Sequence, residues 1–227
     1  MARTLNVATH AVRRDEILDV AERFIRARGY EAMSIQDLQD ELGVSRGAIY
    51  HYFRSKEAIL DALIERMSTA GIAVIRPIVE DPDLDAITKL QAVFATAGAW
   101  KAQRSDLLLA VLRSWYAPAN DLVRLRAEKA ANAQFVPLMA AIIRQGVDER
   151  VMRATSPEHA AITITALFNG SSDTIFRLLT DRIDGRISFE EVESFMAAYS
   201  EAMERILGLP PGSFVLIDPE SLHTWFG

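Results

Sequence analysis

Residues 34–57 read Ser34-Ile35-Gln36-Asp37-Leu38-Gln39-Asp40-Glu41-Leu42-Gly43-Val44-Ser45-Arg46-Gly47-Ala48-Ile49-Tyr50-His51-Tyr52-Phe53-Arg54-Ser55-Lys56-Glu57, and they divide into two short helical patterns around a glycine. Ser34 is a residue type that caps a helix start, and Ile35, Leu38 and Leu42 follow on one face of a 3.6-residue period. Gly43 ends that helix, because glycine takes the left-handed cap conformation without steric cost. Ser45 caps a second helix, in which Ala48, Ile49 and Phe53 turn inward and Arg46, Gly47, Tyr50, His51 and Tyr52 are left facing outward. From Leu42 to Lys56 the cations Arg46, Arg54 and Lys56 are accompanied by no acid. Two helices in a tight turn, the second carrying aromatics and cations, form the helix-turn-helix arrangement that grips DNA.

Upstream, the spacing predicts a helix from about Ala11 to Arg28, with Ile17, Leu18, Ala21, Phe24 and Ile25 on one stripe and Gly29 at its end. It completes a three-helix core. Downstream, Ser55 caps a fourth helix with the stripe Ile59, Leu60, Leu63, Ile64 and Met67, which carries the chain out of that core. Pro77 and Pro82 among Glu80, Asp81 and Asp83 mark a turn, after which Ile87, Leu90, Phe94 and Ala97 define a fifth helix and Leu107–Trp115 a sixth. Pro118 and Asn120 introduce a seventh to about Gln145, kinked at Pro137 and ended by Gly146. Ser156-Pro157-Glu158 starts an eighth, uncharged from Ala160 to Ser172, which marks a helix enclosed on most sides. Ser188 and Glu191 form a capping box for a ninth, whose seam is Val192, Phe195, Met196, Tyr199, Met203, Ile206 and Leu207. After Leu209-Pro210-Pro211-Gly212 the tail is apolar, and Asp218-Pro219-Glu220 starts a short last helix docked on this domain or on a partner. With no run of alternating apolar and polar residues, the fold class is all-α, with about nine to ten helices in a domain of residues 1–63 and a larger one of 64–227.

The chain has 227 residues, half of them apolar, which suits packed domains. Zero cysteines exclude a disulfide framework and thiolate metal sites, and point to a reducing cytoplasm. Met1–His10 has no apolar signal segment, and no apolar run reaches the roughly 20 residues that a membrane span needs. Net charge is -6, an unexpected sign for a nucleic-acid binder, but it is unevenly spread. Residues 1–63 carry nine Lys and Arg against ten Asp and Glu, so the other five negative charges lie beyond them. Arg3, Arg13 and Arg14 stand in an acid-free run of 14, and residues 42–56 form another. Attraction to phosphate acts over about a Debye length, roughly 8 Å in physiological salt, so two such runs on one face outweigh acids elsewhere.

From Arg13 to Lys56 the chain resembles the DNA-binding half of the TetR family of bacterial transcriptional regulators. The resemblance rests on Phe24-Ile25-Arg26-Ala27-Arg28-Gly29-Tyr30, on Ser34, on Leu42-Gly43-Val44-Ser45 and above all on Ile49-Tyr50-His51-Tyr52-Phe53-Arg54-Ser55-Lys56-Glu57. Beyond it only helix count, length and the looser pattern Pro137-Leu138 to Gly146-Val147 agree, and Arg150 stands where the family often has glycine. The resemblance implies a recognition helix from Arg46 to Tyr52 headed by Ser45, with Gly47 letting the backbone approach the groove. Arg46 is then the base reader, since its fork reaches guanine O6 and N7 together. Tyr50, His51, Lys56 and Tyr52 match phosphate-holding positions, Ser34 offers a helix N-terminal amide, and Arg3, Arg13 and Arg14 add an arm.

Helix-turn-helix proteins usually dimerise on half-sites roughly 34 Å apart. The resemblance implies that helices 8 and 9 pair with their symmetry mates, through Phe168, Ser172, Ile175, Val192, Phe195, Met196, Tyr199 and Met203. It also implies a small-molecule pocket among helices 4 to 8, lined by Phe94, Trp100, Trp115, Phe135, Met139 and Phe168, with Arg113, His159 and Asn169 as polar contacts. The expected function is a cytoplasmic homodimeric repressor that binds a near-palindrome in double-stranded DNA and is released by a small-molecule effector, without cofactor, metal or membrane. The alternative is a DNA-binding protein governed by a protein partner, or by nothing, with a filled core. An enzyme has little support: His10, His51, His159 and His223 are scattered, and neither a glycine-rich phosphate loop nor a metal-ligand spacing occurs.

Overall fold

The computed structural model describes the backbone of residues 2–116 and 121–227, and the side chains within them other than 2–9, 113, 122, 123, 172 and 173. Pro118 and Asn120, and the side chains of Arg3, Arg113 and Ser172, lie outside the described residues. Among the described residues the fold is all-α, in the order α1 (Ala2–Arg28), α2 (Ile35–Leu42), α3 (Arg46–Tyr52), α4 (Lys56–Glu80), α5 (Ala86–Ala102), α6 (Ser105–Trp115), α7 (Asp121–Asp148), α8 (Pro157–Ile183), α9 (Phe189–Leu207) and α10 (Pro219–Phe226).

Side-chain caps decide where these helices begin. Ser34, Ser45, Asp85, Ser156, Ser188 and Asp218 all have extended backbone, and each accepts the amide three residues ahead. Ser55 does the same for Ala58 at 3.2 Å. Each cap satisfies an orphan amide and is worth about 1 kcal/mol. Three boundaries differ from the pattern reading. α1 begins at Ala2, nine residues before Ala11. α4 runs through Pro77 to Glu80, because a proline in the last turn removes one of the few bonds remaining there. α7 runs through Gly146 to Asp148, and the chain reverses instead at Arg150, whose φ is 63°. Gly146 serves close packing, since a β-carbon there would stand 2.5 Å from the Met152 sulfur.

The chain divides into two compact units, residues 1–67 with 106–127, and residues 68–105 with 128–227. The first has a core of Ile17, Leu18, Ala21 and Ile25 from α1, Leu38 from α2, Ile49 from α3, and Ile59, Leu60 and Leu63 from α4, joined by Leu107 and Val111 of α6. Each large aliphatic buried there contributes roughly 1.5–3 kcal/mol. α6, which the expected division at residues 63 and 64 assigns to the larger domain, turns its buried face into this first unit.

The second unit gathers Ile72 and Ile75 of α4, Leu90 and Val93 of α5, Met139, Ile142 and Ile143 of α7, Ile164 of α8, and Met203 and Leu207 of α9. Leu209 and Phe214 of the tail are buried in the same core. The Phe214 amide donates to Glu204 Oε1 at 2.9 Å and the Leu216 amide to Ser200 Oγ at 3.1 Å. Gln91 brackets Val215, accepting from its amide at 3.3 Å and donating to its carbonyl at 3.0 Å. α10 then packs on α5, α8 and α9, so the tail docks on its own chain. No helix among the described residues is long and apolar enough to cross a membrane.

Candidate nucleic-acid interface

Ser34 and Asp37 form a reciprocal capping box at the head of α2. The Ser34 amide and hydroxyl both donate to Asp37 Oδ2, at 2.8 and 2.7 Å, and the Asp37 amide returns to Ser34 Oγ at 3.1 Å. Those bonds, first from the hydroxyl and then from the amide, hold the Asp37 carboxyl below the usual carboxylate range, with the Arg28 guanidinium at 3.0 Å adding attraction. The Ser34 amide expected to be free for a phosphate is therefore occupied, which leaves the exposed end of the turn to Ile35 and Gln36. Gly43, at φ 64°, returns its amide to the Gln39 carbonyl and sets the angle to α3.

α3 then carries the outward face. Ile49 is fully buried and Ala48 half-buried, whereas Arg46, Gly47, Tyr50 and His51 are exposed. Ser45 accepts the Ala48 amide at 3.3 Å and starts the helix. Arg46 Nη2 donates to the Tyr50 hydroxyl at 3.3 Å, one turn on, and its guanidinium lies 5.5 Å from that ring's centroid. Gly47 faces open space, the nearest atom to an added β-carbon being Ser45 Oγ at 3.9 Å. Tyr52, expected outward, is half-buried with its ring against the edge of the first unit's core.

At the head of α4, Lys56 Nζ donates to the Glu31 carbonyl at 3.1 Å and sits 4.3 Å from the Tyr30 ring centroid. That ammonium keeps further N–H groups for another acceptor. The Tyr30 phenol beneath is pushed up by burial first and then by Glu57, Glu31 and Asp61, so it stays neutral. Glu31, Met33, Ser34, Ile35, Gln36, Gln39, Arg46 and Lys56 line an open groove of about 480 Å³. Two cations and two amide side chains thus meet beside the outward face of α3, a set suited to phosphate and base edges.

The pattern reading missed His10, Gln36 and Gln39. Continued upstream, the inward stripe of α1 runs from Ile17 and Leu18 back to Arg14 and His10 on the same period. The Arg14 guanidinium lies 5.3 Å over the Phe53 ring, and the His10 ring packs against Tyr52 at 4.5 Å. Starting helix 1 at Ala11 hid that continuation. Arg13 is half-buried and paired with Glu16 at 2.5 Å.

The residues proposed for a ligand separate into two groups. Phe94, Trp100, Phe135, Met139, His159, Phe168 and Asn169 lie in the second unit, whereas Trp115 packs on the first unit's core. Phe94 meets Phe168 at 5.4 Å and Phe214 at 5.2 Å, so the tail closes the aromatic cluster. Met139 is core, Trp100 packs on Gly71, Phe135 and Asn169 are half-buried, and His159 is exposed in the first turn of α8. Of the expected partner-facing residues, Val192, Met196 and Met203 are buried within the chain itself, which corrects their assignment. A nineteen-residue helix cannot turn the same stripe both inward and outward. Phe195 and Tyr199 are half-buried and pair at 4.8 Å, and Phe168 and Ile175 are half-buried on α8. Ile162, Ala166 and Gly170 are exposed along one strip of α8. No group of three metal-ligating side chains occurs among the described residues.

The profile of "Bacterial regulatory proteins, tetR family" matches residues 17–63, which span this site from the α1 stripe to α4. A helix-turn-helix transcriptional repressor of Mycobacterium tuberculosis is 39% identical over 82 residues, covering 32% of this chain and 44% of that protein. The chain thus aligns with less than half of that relative's length. The repressor KstR2 of Rhodococcus jostii is 28% identical over 143 residues, covering 63% of this chain and 69% of that protein. A TetR transcription regulator from Haloarcula marismortui superposes with a TM-score of 0.64 over 87% of this chain and 99% of that one, at 21% identity, which speaks to the fold. Over residues 17–63, then, the chain is similar to the tetR family of bacterial regulatory proteins.

Proposed function

We propose that this protein is a transcriptional repressor that binds a near-palindromic DNA site as a homodimer. The observation that carries this reading is the acid-free outward face of α3, where Arg46, Gly47, Tyr50 and His51 are exposed beside Lys56 and a polar groove. α3 enters the major groove, Arg46 reads a base pair, and Tyr50, His51, Tyr52, Lys56 and the α2 amides hold phosphates. Repression is the role named for the relatives matched over this region. The functional division follows the site: residues 1–63 bind DNA and 64–227 dimerise and sense.

Dimerisation uses the outward sides of α8 and α9, where Ile162 is half exposed and Ala166, Gly170, Ala197 and Ala198 are small and open. Small residues let a symmetry mate approach closely, and Phe168, Ile175, Phe195 and Tyr199 supply apolar area at the edge. A small apolar effector bound near Phe94, Phe168 and Asn169 shifts the protein between DNA-binding and released states.

Selection of duplexes from a random pool at moderate salt tests the DNA reading, with a shared near-palindrome as the expected product. Affinity for it should fall steeply with salt, because each neutralised phosphate releases counterions. Recovery of no common motif would overturn the reading. The seating of Phe214 against Phe94 favours a second reading for regulation, in which the core is filled and a protein partner, or nothing, controls binding. Release of DNA by an apolar compound supports the effector, and its absence across a broad library supports the filled core.

A further inference from the structure

We infer that His10 is a positioning residue for the DNA-facing end of α3, an inference that rests on the proposed DNA-binding function. His10 lies seven residues before the family match begins, so the tetR profile does not supply it. Its ring centroid is 4.5 Å from that of Tyr52 with the planes tilted by 42°, and 5.7 Å from that of His51 with the planes at 71°. His51 and Tyr52 themselves meet edge to face at 5.1 Å. Every pair in this triangle is within the range at which aromatic rings attract one another.

Two adjacent residues on the last turn of a seven-residue helix have little within that helix to fix their rotamers. Their side chains diverge by about 100° on the helix wheel, so a single neighbour rarely touches both. The His10 ring does, because the inward stripe of α1 continues two turns above Ile17 and Leu18 and passes over the end of α3. Arg14, one turn nearer the core, caps the Phe53 ring in the same way. His10 is exposed, so its packing adds little to the core and acts on the placement of His51 and Tyr52. Holding both rings before DNA arrives removes an ordering cost that binding would otherwise carry.

The test compares the full chain with H10A, H10F and H10K on the duplex selected by the wild-type protein, using anisotropy titrations across salt concentration and thermal unfolding. H10A should bind about 5- to 10-fold more weakly, the loss expected from freeing one or two side-chain rotamers, with an unchanged salt slope and melting temperature. H10F should restore most of the affinity, since a flat ring suffices. A double-mutant cycle of H10A with Y52A should show the two losses to be non-additive. Wild-type affinity in H10A overturns the inference and leaves the DNA-binding reading standing. Rescue by H10K but not by H10F, with a salt slope shallower in H10A and H10F, also overturns it, by making His10 a direct phosphate contact. Failure of the wild-type protein to select any duplex removes the DNA-binding reading, and this inference with it.

Discussion

Gly47→Ala separates what the fold asks of α3 from what a DNA groove asks of it. Within the chain a β-carbon at residue 47 meets nothing closer than Ser45 Oγ at 3.9 Å, so the fold has no need of glycine there. Alanine in a helix is favoured over glycine by about 0.5–1 kcal/mol, mostly through the lower entropy of the unfolded chain. For a chain of this size that raises the melting temperature by roughly 1–4 °C. On DNA the sign reverses. If the residue 47 backbone lies against base edges, a methyl about 1.5 Å from Cα forces the helix outward or tilts it. Even a loss of about 1.4 kcal/mol of contact is a 10-fold loss of affinity. Thermal unfolding and an anisotropy titration on the selected duplex read both effects in one preparation. Higher stability with unchanged or tighter DNA binding would refute the placement of Gly47 at the groove, and lower stability would refute the open space around it.

Arg150→Gly should stabilise the protein by about 0.5–1 kcal/mol in urea unfolding, because the left-handed backbone costs a side-chain-bearing residue roughly 1–2 kcal/mol and glycine's unfolded-state entropy returns only part of that. Phe214→Ala should destabilise by roughly 3–5 kcal/mol in the same measurement, since a buried ring against Phe94 leaves a cavity while the amide bond to Glu204 survives. Asp85 and Asp218 are helix caps whose carboxyls are held below the usual range by hydrogen bonds from Thr88 and Ser221. A depressed folded value means that their stabilisation is full above about pH 4 and is lost as pH falls through the folded value. The D85N/D218N double variant keeps caps that do not titrate, so its urea midpoint should fall less than that of the wild type between pH 5 and 3. An equal fall would refute the linkage.

The caps were legible because each is a local event. Ser34, Ser45, Ser156, Ser188 with Glu191, and Asp218 each announce a helix within four residues of sequence, and each does so in the structure. The tail helix and the stripes of α1 and α4 followed from the same short-range periodicity. What the pattern could not resolve was which of two surfaces an apolar stripe would meet. Val192, Met196 and Met203 read equally well as an outer seam or an inner one, and all three are buried within the chain itself. Gly146 read as a stop signal, although its reason is Met152, six residues on and brought back by the Arg150 turn. Phe214 was visible only as an apolar residue in a tail, because its partners Phe94 and Glu204 lie on two other helices. In the set proposed to face DNA the same limit hid the contact between His10 and Tyr52, which depends on how α1 crosses the end of α3.

Under the proposed function, contacts of this kind let an acidic chain serve a polyanion. The charged and aromatic groups on this face are not loose ends on a surface: Arg46 leans on Tyr50, Lys56 is held by the Glu31 carbonyl and the Tyr30 ring, and Arg14 lies over Phe53. Each contact is weak by itself, since cation–π pairs at exposed sites are worth about 0.5–1 kcal/mol. Their effect on binding comes from placing long, rotamer-rich side chains during folding, so that less ordering remains when a phosphate arrives. It follows that Lys56→Ala is a poor measure of one phosphate contact, because it also frees Tyr30 and the Glu31 carbonyl at the end of the α2 groove. Lys56→Gln retains a donor for that carbonyl and removes the charge. Under the proposed function it isolates the electrostatic part, which should appear as a salt slope lower by about one.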